Sequence, residues 1–277
     1  MSVWEKLGGV APRELTETRL QLHWASQLVA AVGSSLVSAK PDDSHTALTC
    51  DVERSLLLSA ETATSPRRRA ALSVPDFRLV LLDEELAEVD GWTLDGKTLQ
   101  QSLDWLGSEL SGSALSVPDY DMPHHAIQDG AVFRWERPEA FNELALWFKN
   151  AARVLRSLDI GDDLCWPHHF DLAALSNFNG PNGLGGDKTI GVGLSPGDTS
   201  YDEPYWYVTP WPYPAAGDLP ALPFGHWHSE GFVAAILTGS DIAAEDDPDR
   251  QRAKVDAFLD ATISASRKLL GVRTTDD

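Results

Sequence analysis

Residues 70–94 read AALSVPDFRLVLLDEELAEVDGWTL, and this stretch decides the predicted fold class. Two short apolar runs, Ala70–Val74 and Phe77–Leu82, follow each other with only two residues between them, and a third run returns through Val89–Leu94. Short runs joined by turns in this way are typical of β-hairpins. No helical pattern separates them, so the stretch predicts antiparallel strands rather than the strand–helix–strand alternation of a parallel sheet.

Similar β-like runs occur elsewhere in the chain. Upstream of this stretch lie Thr46–Asp51 and Ser55–Ala60. The second half of the chain holds four more predicted strands: Cys165–Phe178, Thr189–Leu194, Glu203–Thr209 and His226–Thr238.

Four stretches carry apolar residues at every third or fourth position and predict helices. The first covers about Pro12–Val37, and the second follows the capping box Thr98–Gln101. The third opens at Pro138, because proline is favoured in the first turn of a helix. The fourth begins at Pro248 and ends at Gly271.

Each half of the chain therefore predicts a helix, about four strands and a second helix. We interpret this order as an α+β fold of two similar halves, each with a mainly antiparallel sheet flanked by helices. Residues 1–110 are the N-terminal scaffold half, residues 111–137 are a linking loop, and residues 138–277 are the C-terminal half that carries the predicted site. Loops as long as 111–137 are uncommon and often functional.

Composition excludes several classes of protein. The 277 residues include 22 Lys and Arg against 42 Asp and Glu, a formal net charge of -20. Such a charge repels phosphate backbones and anionic lipids, so we expect neither nucleic acid nor a membrane surface as a partner. Two cysteines, Cys50 and Cys165, do not make a disulfide framework. No signal peptide or membrane span is recognisable, so we expect a cytoplasmic protein; its oligomeric state is left open.

Aromatic residues and histidines concentrate in the second half. Between residues 161 and 230 lie four of the 10 Trp, four of the five Tyr and four of the eight His. Rings supply contact area and polar tips supply direction, so this concentration favours a ligand site, with an aromatic core as the alternative.

Two catalytic motifs fail on their residues. Gly193–Gly197 matches the nucleophile elbow of serine hydrolases, but the residue after Ser195 is Pro196, which has no N–H for an oxyanion hole. His226-Trp-His228 is similar to the paired histidines of cupins, but Glu230 follows the second histidine two residues later instead of about four.

Strand alternation predicts one polar sheet face in the second half. The glycines of Thr189–Leu194 leave room above this face, and His168 is expected to be buried while His169 faces a cavity or solvent. The side chains expected on this face are His169, Asp171, Glu203, Tyr205, Tyr207, His226, His228 and Glu230.

These residue types suit either metal binding or metal-free chemistry. In the first hypothesis the protein is a metal-dependent, hydrolase-like enzyme acting on a small polar molecule, with Zn²⁺, Fe²⁺ or Mn²⁺ held by residues from the set His169, His226, His228 and Glu230. Asp171 and Glu203 are then the catalytic carboxylates. In the second, Tyr205, Tyr207, Trp211 and Ser195 bind a sugar-like ligand without metal. A structural polar cluster is the third.

Four motifs carry a resemblance. The chain resembles an uncharacterised bacterial family, and more distantly a broader family of unknown function. The motifs that carry the resemblance are CWPHHFDLA at 165–173, GLSPGD at 193–198, EPYWYVTPWP at 203–212 and GHWHSE at 225–230. The resemblance implies a bacterial, cytoplasmic α+β protein and implies no particular reaction.

Overall fold

The computed structural model describes residues 4–158, 160–178 and 188–272. Within these ranges the chain forms five α-helices: α1 Thr16–Leu36, α2 Leu99–Leu110, α3 Pro138–Leu158, α4 Gly239–Ala243 and α5 Pro248–Leu270. The same ranges contain eleven strands: β1 Leu48–Asp51, β2 Leu56–Leu58, β3 Arg69–Ser73, β4 Arg78–Leu82, β5 Glu88–Thr93, β6 Leu164–Trp166, β7 Asp171–Asn177, β8 Thr189–Ser195, β9 Tyr205–Trp211, β10 His226–His228 and β11 Ala234–Thr238.

Local capping signals place the helix ends as predicted. At the start of α2, the Thr98 hydroxyl accepts from the Gln101 N–H, and the Gln101 side chain accepts from the Thr98 N–H. At the start of α5, the Asp247 carboxylate accepts from two free N–H groups of the first turn. The helix ends at Gly271, whose φ of 62° is a left-handed conformation that suits glycine.

The chain divides into two compact units. The N-terminal unit consists of Glu14–Lys149 together with Leu164–Asp171. The C-terminal unit consists of Met1–Arg13, Asn150–Asp163 and Leu172–Asp277. This division follows spatial contacts, so β6 and the turn after it group with strands that come much earlier in the sequence.

In the N-terminal unit the strands lie in the order β6-β1-β2-β3-β4-β5. One apolar cluster on this sheet joins Leu56 and Leu58 to Ala71, Val80 and Leu82. Helix α1 is buried from Thr18 to Gly33 apart from Leu20.

Gly33 marks a close approach near the end of α1. A methyl group at this position would overlap the His45 carbonyl oxygen, which no Cβ atom tolerates. The absence of a side chain therefore lets the helix press against the segment that leads into β1.

In the C-terminal unit the strands lie in the order β7-β8-β9-β11-β10. Trp206, Val208, Val192 and Leu237 are all buried, and α5 packs against β9. Strand register determines which residues share the opposite face of the sheet. Gly193 pairs with Tyr207, Tyr207 pairs with Ile236, and Ile236 pairs with His226, so these four residues lie in one row across it.

Every strand pairing resolved within the two units is antiparallel, which confirms the α+β class. The predicted duplication into two similar halves is not confirmed. Strand β6 comes from the second half of the sequence but pairs with β1, Cys165 lying opposite Leu48.

The predicted strand Cys165–Phe178 is wrong in its middle. Residues 167–170 form a turn between β6 and β7. Pro167 has no N–H to give to a strand ladder, and Phe170 adopts a φ of 58°, which extended strands do not use. In the described part of the chain, no helix is both long and apolar enough to cross a bilayer.

Candidate functional site

The turn at residues 167–170 is fastened to α1 in the N-terminal unit. The Pro167 carbonyl accepts hydrogen bonds from His23 Nε2, at 2.9 Å, and from Gln27 Nε2, at 2.7 Å. The Phe170 ring stacks on His23 with centroids 5.4 Å apart and also contacts Phe148. These contacts fix the direction of the two histidines between them, His168 and His169.

His23 itself is neutral in the folded protein. Burial lowers the pKa of His23 from 6.5 to about 4, although the hydrogen bond to the Pro167 carbonyl opposes this shift. A carbonyl only accepts, so Nε2 carries the imidazole proton. Neutral His23 is therefore a structural donor that supports the turn.

The turn borders an open cleft of about 400 Å³ in the N-terminal unit. Its lining comes from three segments that are distant in sequence: the approach to β1, the loop 111–137 and the end of β6. The lining residues are Asp42, Asp43, Thr46, Asp119, Tyr120, Asp121, Trp166, His168 and His169.

Rings form one wall of this cleft. The His168 ring lies 4.3 Å from His169, 5.6 Å from Tyr120 and 6.0 Å from Trp166, measured between centroids. Burial lowers the pKa of His168, the nearby His169 acts in the same direction, and the Asp43 charge opposes both. The wall therefore presents aromatic faces and a neutral imidazole.

Carboxylates form the rest of the cleft. Asp42, Asp43, Asp119 and Asp121 are all exposed, and none of them makes an ion pair with a Lys or Arg side chain in the described ranges. A hydrogen bond from Ser44 lowers the pKa of Asp42. The cleft therefore exposes four carboxylates that form no ion pair within the described ranges.

A second cluster lies in the C-terminal unit, around Tyr201. Its phenol oxygen is 2.9 Å from His226 Nε2 and 3.1 Å from His228 Nδ1. His228 Nε2 is 2.7 Å from the Glu230 carbonyl oxygen, to which it must donate. With one proton on the ring, held at Nε2, His228 accepts at Nδ1 from the Tyr201 hydroxyl, and the same oxygen accepts from His226.

Aromatic contacts hold this second cluster in place. Tyr201 packs on Tyr205, with ring centroids 4.9 Å apart, and the Tyr205 hydroxyl donates to Asp198 at 2.6 Å. His228 stacks on Phe232 at 4.2 Å. Burial raises the pKa of Tyr201, and the Asp198 charge raises it further, so the phenol keeps its proton near neutral pH.

The other predicted site residues have different surroundings. Glu203 is buried, accepting from Arg13 Nε at 3.2 Å and from the Ser240 N–H at the start of α4. Ser195 is buried and accepts from the Gly197 N–H. Asp171 is a buried residue of the N-terminal unit. The burial of Cys165 raises the pKa of the Cys165 thiol, and the charge of Asp171 raises it further.

The tyrosine face of β9 follows the predicted alternation, but the expected space above the glycines does not exist at Gly193. A methyl group there would lie 2.6 Å from the Tyr207 hydroxyl, so the Tyr207 side chain fills that position. Trp211 is half exposed and meets the edge of Tyr213, with centroids 4.9 Å apart.

The proposed metal ligands divide between the units. His169 belongs to the cleft of the N-terminal unit, whereas His226, His228 and Glu230 belong to the C-terminal unit. Glu230 contributes its backbone carbonyl, through the bond from His228. Among the residues that the structure describes, no three His, Cys, Asp or Glu side chains come together as a metal site.

The order of exposure at the histidine pair follows the prediction, but its reason was wrong. His169 is exposed and His168 is half-buried, not fully buried. Both lie on a turn, so strand alternation does not govern them.

Sequence reasoning missed Tyr201 and the acidic lining of the cleft. The missed cleft residues are Asp42, Asp43, Asp119, Tyr120 and Asp121. The unusual length of the loop 111–137 was the one signal for part of this set. Comparison with family models, with curated proteins and with solved structures finds no match to this chain.

Proposed function

We propose that the protein binds a small organic cation, a polar molecule bearing an amine or a guanidine, in the cleft of the N-terminal unit. The observation that carries this proposal is the combination of a cleft of about 400 Å³ with four exposed carboxylates and an aromatic wall. Ligand sites of small molecules span roughly 300–1,000 Å³ and combine apolar surface with a few converging polar groups.

The chemistry of the lining selects for positive charge. Ring faces of Trp and Tyr attract a cation within about 6 Å of their centroid. Asp119 and Asp121 flank Tyr120 in the chain, so carboxylates and a ring lie in one segment. A neutral His168 adds a hydrogen-bonding group without adding positive charge that would repel the ligand.

Two of the cleft segments are tied to each other before any ligand binds. Thr46 Oγ1 donates to the Asp43 carbonyl at 2.9 Å and lies 3.0 Å from the Tyr120 hydroxyl. The third segment, which carries His168 and His169, is held by the hydrogen bonds from His23 and Gln27 to the Pro167 carbonyl. Such fixed walls lower the entropy cost of binding.

A neutral, sugar-like ligand is the second candidate for the same cleft. Carboxylates accept hydrogen bonds from hydroxyl groups, and the exposed part of the Trp166 ring provides a stacking surface. The four exposed carboxylates of the lining favour the cation over this ligand. Metal-assisted hydrolysis stays a prediction. Of the residues it names, His169 and Asp171 lie in the N-terminal unit, and Glu203, His226, His228 and Glu230 lie in the C-terminal unit.

The test is calorimetric titration with amines and with neutral partners of the same shape. Ethanolamine, choline, agmatine and glucosamine form the charged set; ethylene glycol, glucose and N-acetylglucosamine are the neutral set. We expect at least one amine to bind, with an affinity that falls as salt is added, because exposed charges are screened. Equal binding of glucose and glucosamine would favour the sugar-like ligand, and binding of none of the charged set would count against the proposal.

A further inference from the structure

We propose that Tyr201, His226 and His228 form a three-ligand site for a divalent transition-metal ion in the C-terminal unit. The proposal does not depend on the cleft. It keeps the two histidines that the sequence analysis placed in a metal site and replaces His169 and Glu230 by a phenol oxygen.

The first argument is convergence. His226 and His228 alternate with Trp227 along β10, so both imidazoles stand on one side of the strand. Two ring nitrogens, one from each histidine, meet at the Tyr201 oxygen at 2.9 and 3.1 Å. Two imidazole nitrogens therefore already lie within hydrogen-bonding distance of one phenol oxygen, and all three are donor types that bind metals.

The second argument is spacing. Zinc holds nitrogen and oxygen ligands at about 2.0–2.1 Å, so neighbouring donors of a tetrahedral site lie about 3.3 Å apart. The present separations from the phenol oxygen to the two nitrogens are slightly shorter than that. Entry of the ion replaces the two hydrogen bonds by metal–ligand bonds, and the Tyr201 oxygen must shift away from the point on which the two ring nitrogens converge.

The third argument is the orientation of His228. Its Nε2–H is held by the Glu230 carbonyl at 2.7 Å, so the lone pair of Nδ1 points toward the Tyr201 oxygen. Metal-binding histidines commonly donate the far ring N–H to a carbonyl or carboxylate, which fixes the tautomer. Phe232 stacks on the same ring and restrains its rotation.

The proton balance of binding is simple. The phenol proton of Tyr201 leaves to solvent as its oxygen binds the ion. The proton on His226 Nε2 is exchanged for one on Nδ1, which has no hydrogen-bond partner among the described residues. Imidazole nitrogens and a phenolate suit Cu²⁺ and Zn²⁺, with Cu²⁺ the tighter of the two.

His226 is exposed, and three protein ligands leave one position of a tetrahedral site for water or a substrate. This is the arrangement of catalytic rather than structural zinc sites. A bound ion at these three ligands would supply the metal-assisted chemistry on a small polar molecule that the sequence analysis predicted for this half of the chain.

The test uses the full chain without a histidine tag. Zn²⁺ binding is measured by calorimetry, and Cu²⁺ binding by the visible charge-transfer band of a copper–phenolate bond. We expect one ion per chain. Tyr201→Phe removes one oxygen atom; it should abolish the band and weaken Zn²⁺ binding by more than about 10-fold. His226→Ala with His228→Ala should abolish stoichiometric binding.

Two matched variants make the outcome decisive. His169→Ala and His124→Ala each remove an exposed imidazole of the N-terminal unit and should leave the Zn²⁺ affinity and the copper band unchanged. Loss of binding in His169→Ala would overturn the ligand set, and so would an unchanged band in Tyr201→Phe. No stoichiometric binding by the unaltered chain, or binding that survives loss of both His226 and His228, would overturn the site itself.

Discussion

The cleft of the N-terminal unit and the Tyr201 cluster of the C-terminal unit are built in opposite ways. The cleft collects side chains from loops and a turn, and its carboxylates form no salt bridge with a Lys or Arg side chain among the described residues. The Tyr201 cluster takes its histidines from one short strand and uses the phenol oxygen and three of the four imidazole nitrogens in hydrogen bonds. An unpaired, open lining suits a ligand that brings its own charge, whereas a convergent set of lone pairs suits an ion.

The turn below the cleft gives the largest expected effect. Phe170 is fully buried between His23 and Phe148, so Phe170→Ala should lower the free energy of unfolding by about 3–5 kcal/mol through the cavity it leaves. Urea unfolding measures this change. Amine binding should weaken as well, while Zn²⁺ binding stays unchanged. A loss of Zn²⁺ binding in the folded variant would show that the two sites are not independent.

Low pH should also destabilise the turn at residues 167–170, because His23 becomes protonated more readily in the unfolded chain. Its folded-state pKa of about 4 lies below the unfolded value of about 6.5, so the unfolded chain binds this proton more tightly. The stability that His23 contributes is therefore complete above about pH 6.5. It is lost as the pH falls toward 4, by about 3 kcal/mol in total. Urea midpoints across this range measure the loss.

The control for this pH dependence is His23→Gln, which keeps an N–H near the Pro167 carbonyl and does not titrate. Its stability should change with pH by about 3 kcal/mol less than that of the unaltered chain over the same range. An identical slope in both proteins would mean that other groups carry the acid sensitivity.

Charge removal in the cleft should have a smaller effect. The double substitution Asp119→Asn with Asp121→Asn takes away two exposed charges, each worth about 0.2–1 kcal/mol toward a cation. We expect the Kd of the best-binding amine to rise roughly 2- to 30-fold, measured by calorimetry at low salt. Asp129→Asn is the matched control, because it changes an exposed carboxylate in the same loop outside the cleft lining. Equal effects of the two changes would remove the aspartates from the binding site.

Trp211→Ala should have the smallest effect. Its side chain is half exposed and contacts the edge of Tyr213, so the free energy of unfolding should change by less than about 0.5 kcal/mol. Amine affinity should be the same as in the unaltered chain. A clear loss of amine binding in Trp211→Ala would show that the amine binds at the C-terminal sheet and not in the cleft of the N-terminal unit.

Local signals predicted much of the fold. The capping box at Thr98 and the proline and glycine at the ends of α5 placed those helix ends, since caps act within one turn. Alternation also placed Tyr207 and His226 on one face of the C-terminal sheet, because register and alternation are strict within paired strands.

The sites were harder to predict, and the reason is distance along the chain. Asp43, Tyr120 and His168 meet only after three segments fold together, and no periodicity links them. Tyr201 lies in an irregular loop, where alternation gives no direction. The turn at Pro167 was not predicted because the whole segment Cys165–Phe178, which contains one proline, was taken as a single alternating strand.

The double hydrogen bond to the Pro167 carbonyl has a consequence for recognising relatives of this chain. The bond uses a backbone atom, so many residue types at position 167 supply it equally well, whereas the two donors must be side chains of fixed reach. A distant relative with the same cleft should therefore keep two side-chain donors spaced like His23 and Gln27, one helical turn apart, even where the residues around position 167 differ. The helix, and not the aromatic-rich segment that looks most distinctive in the sequence, is then the better template for a search.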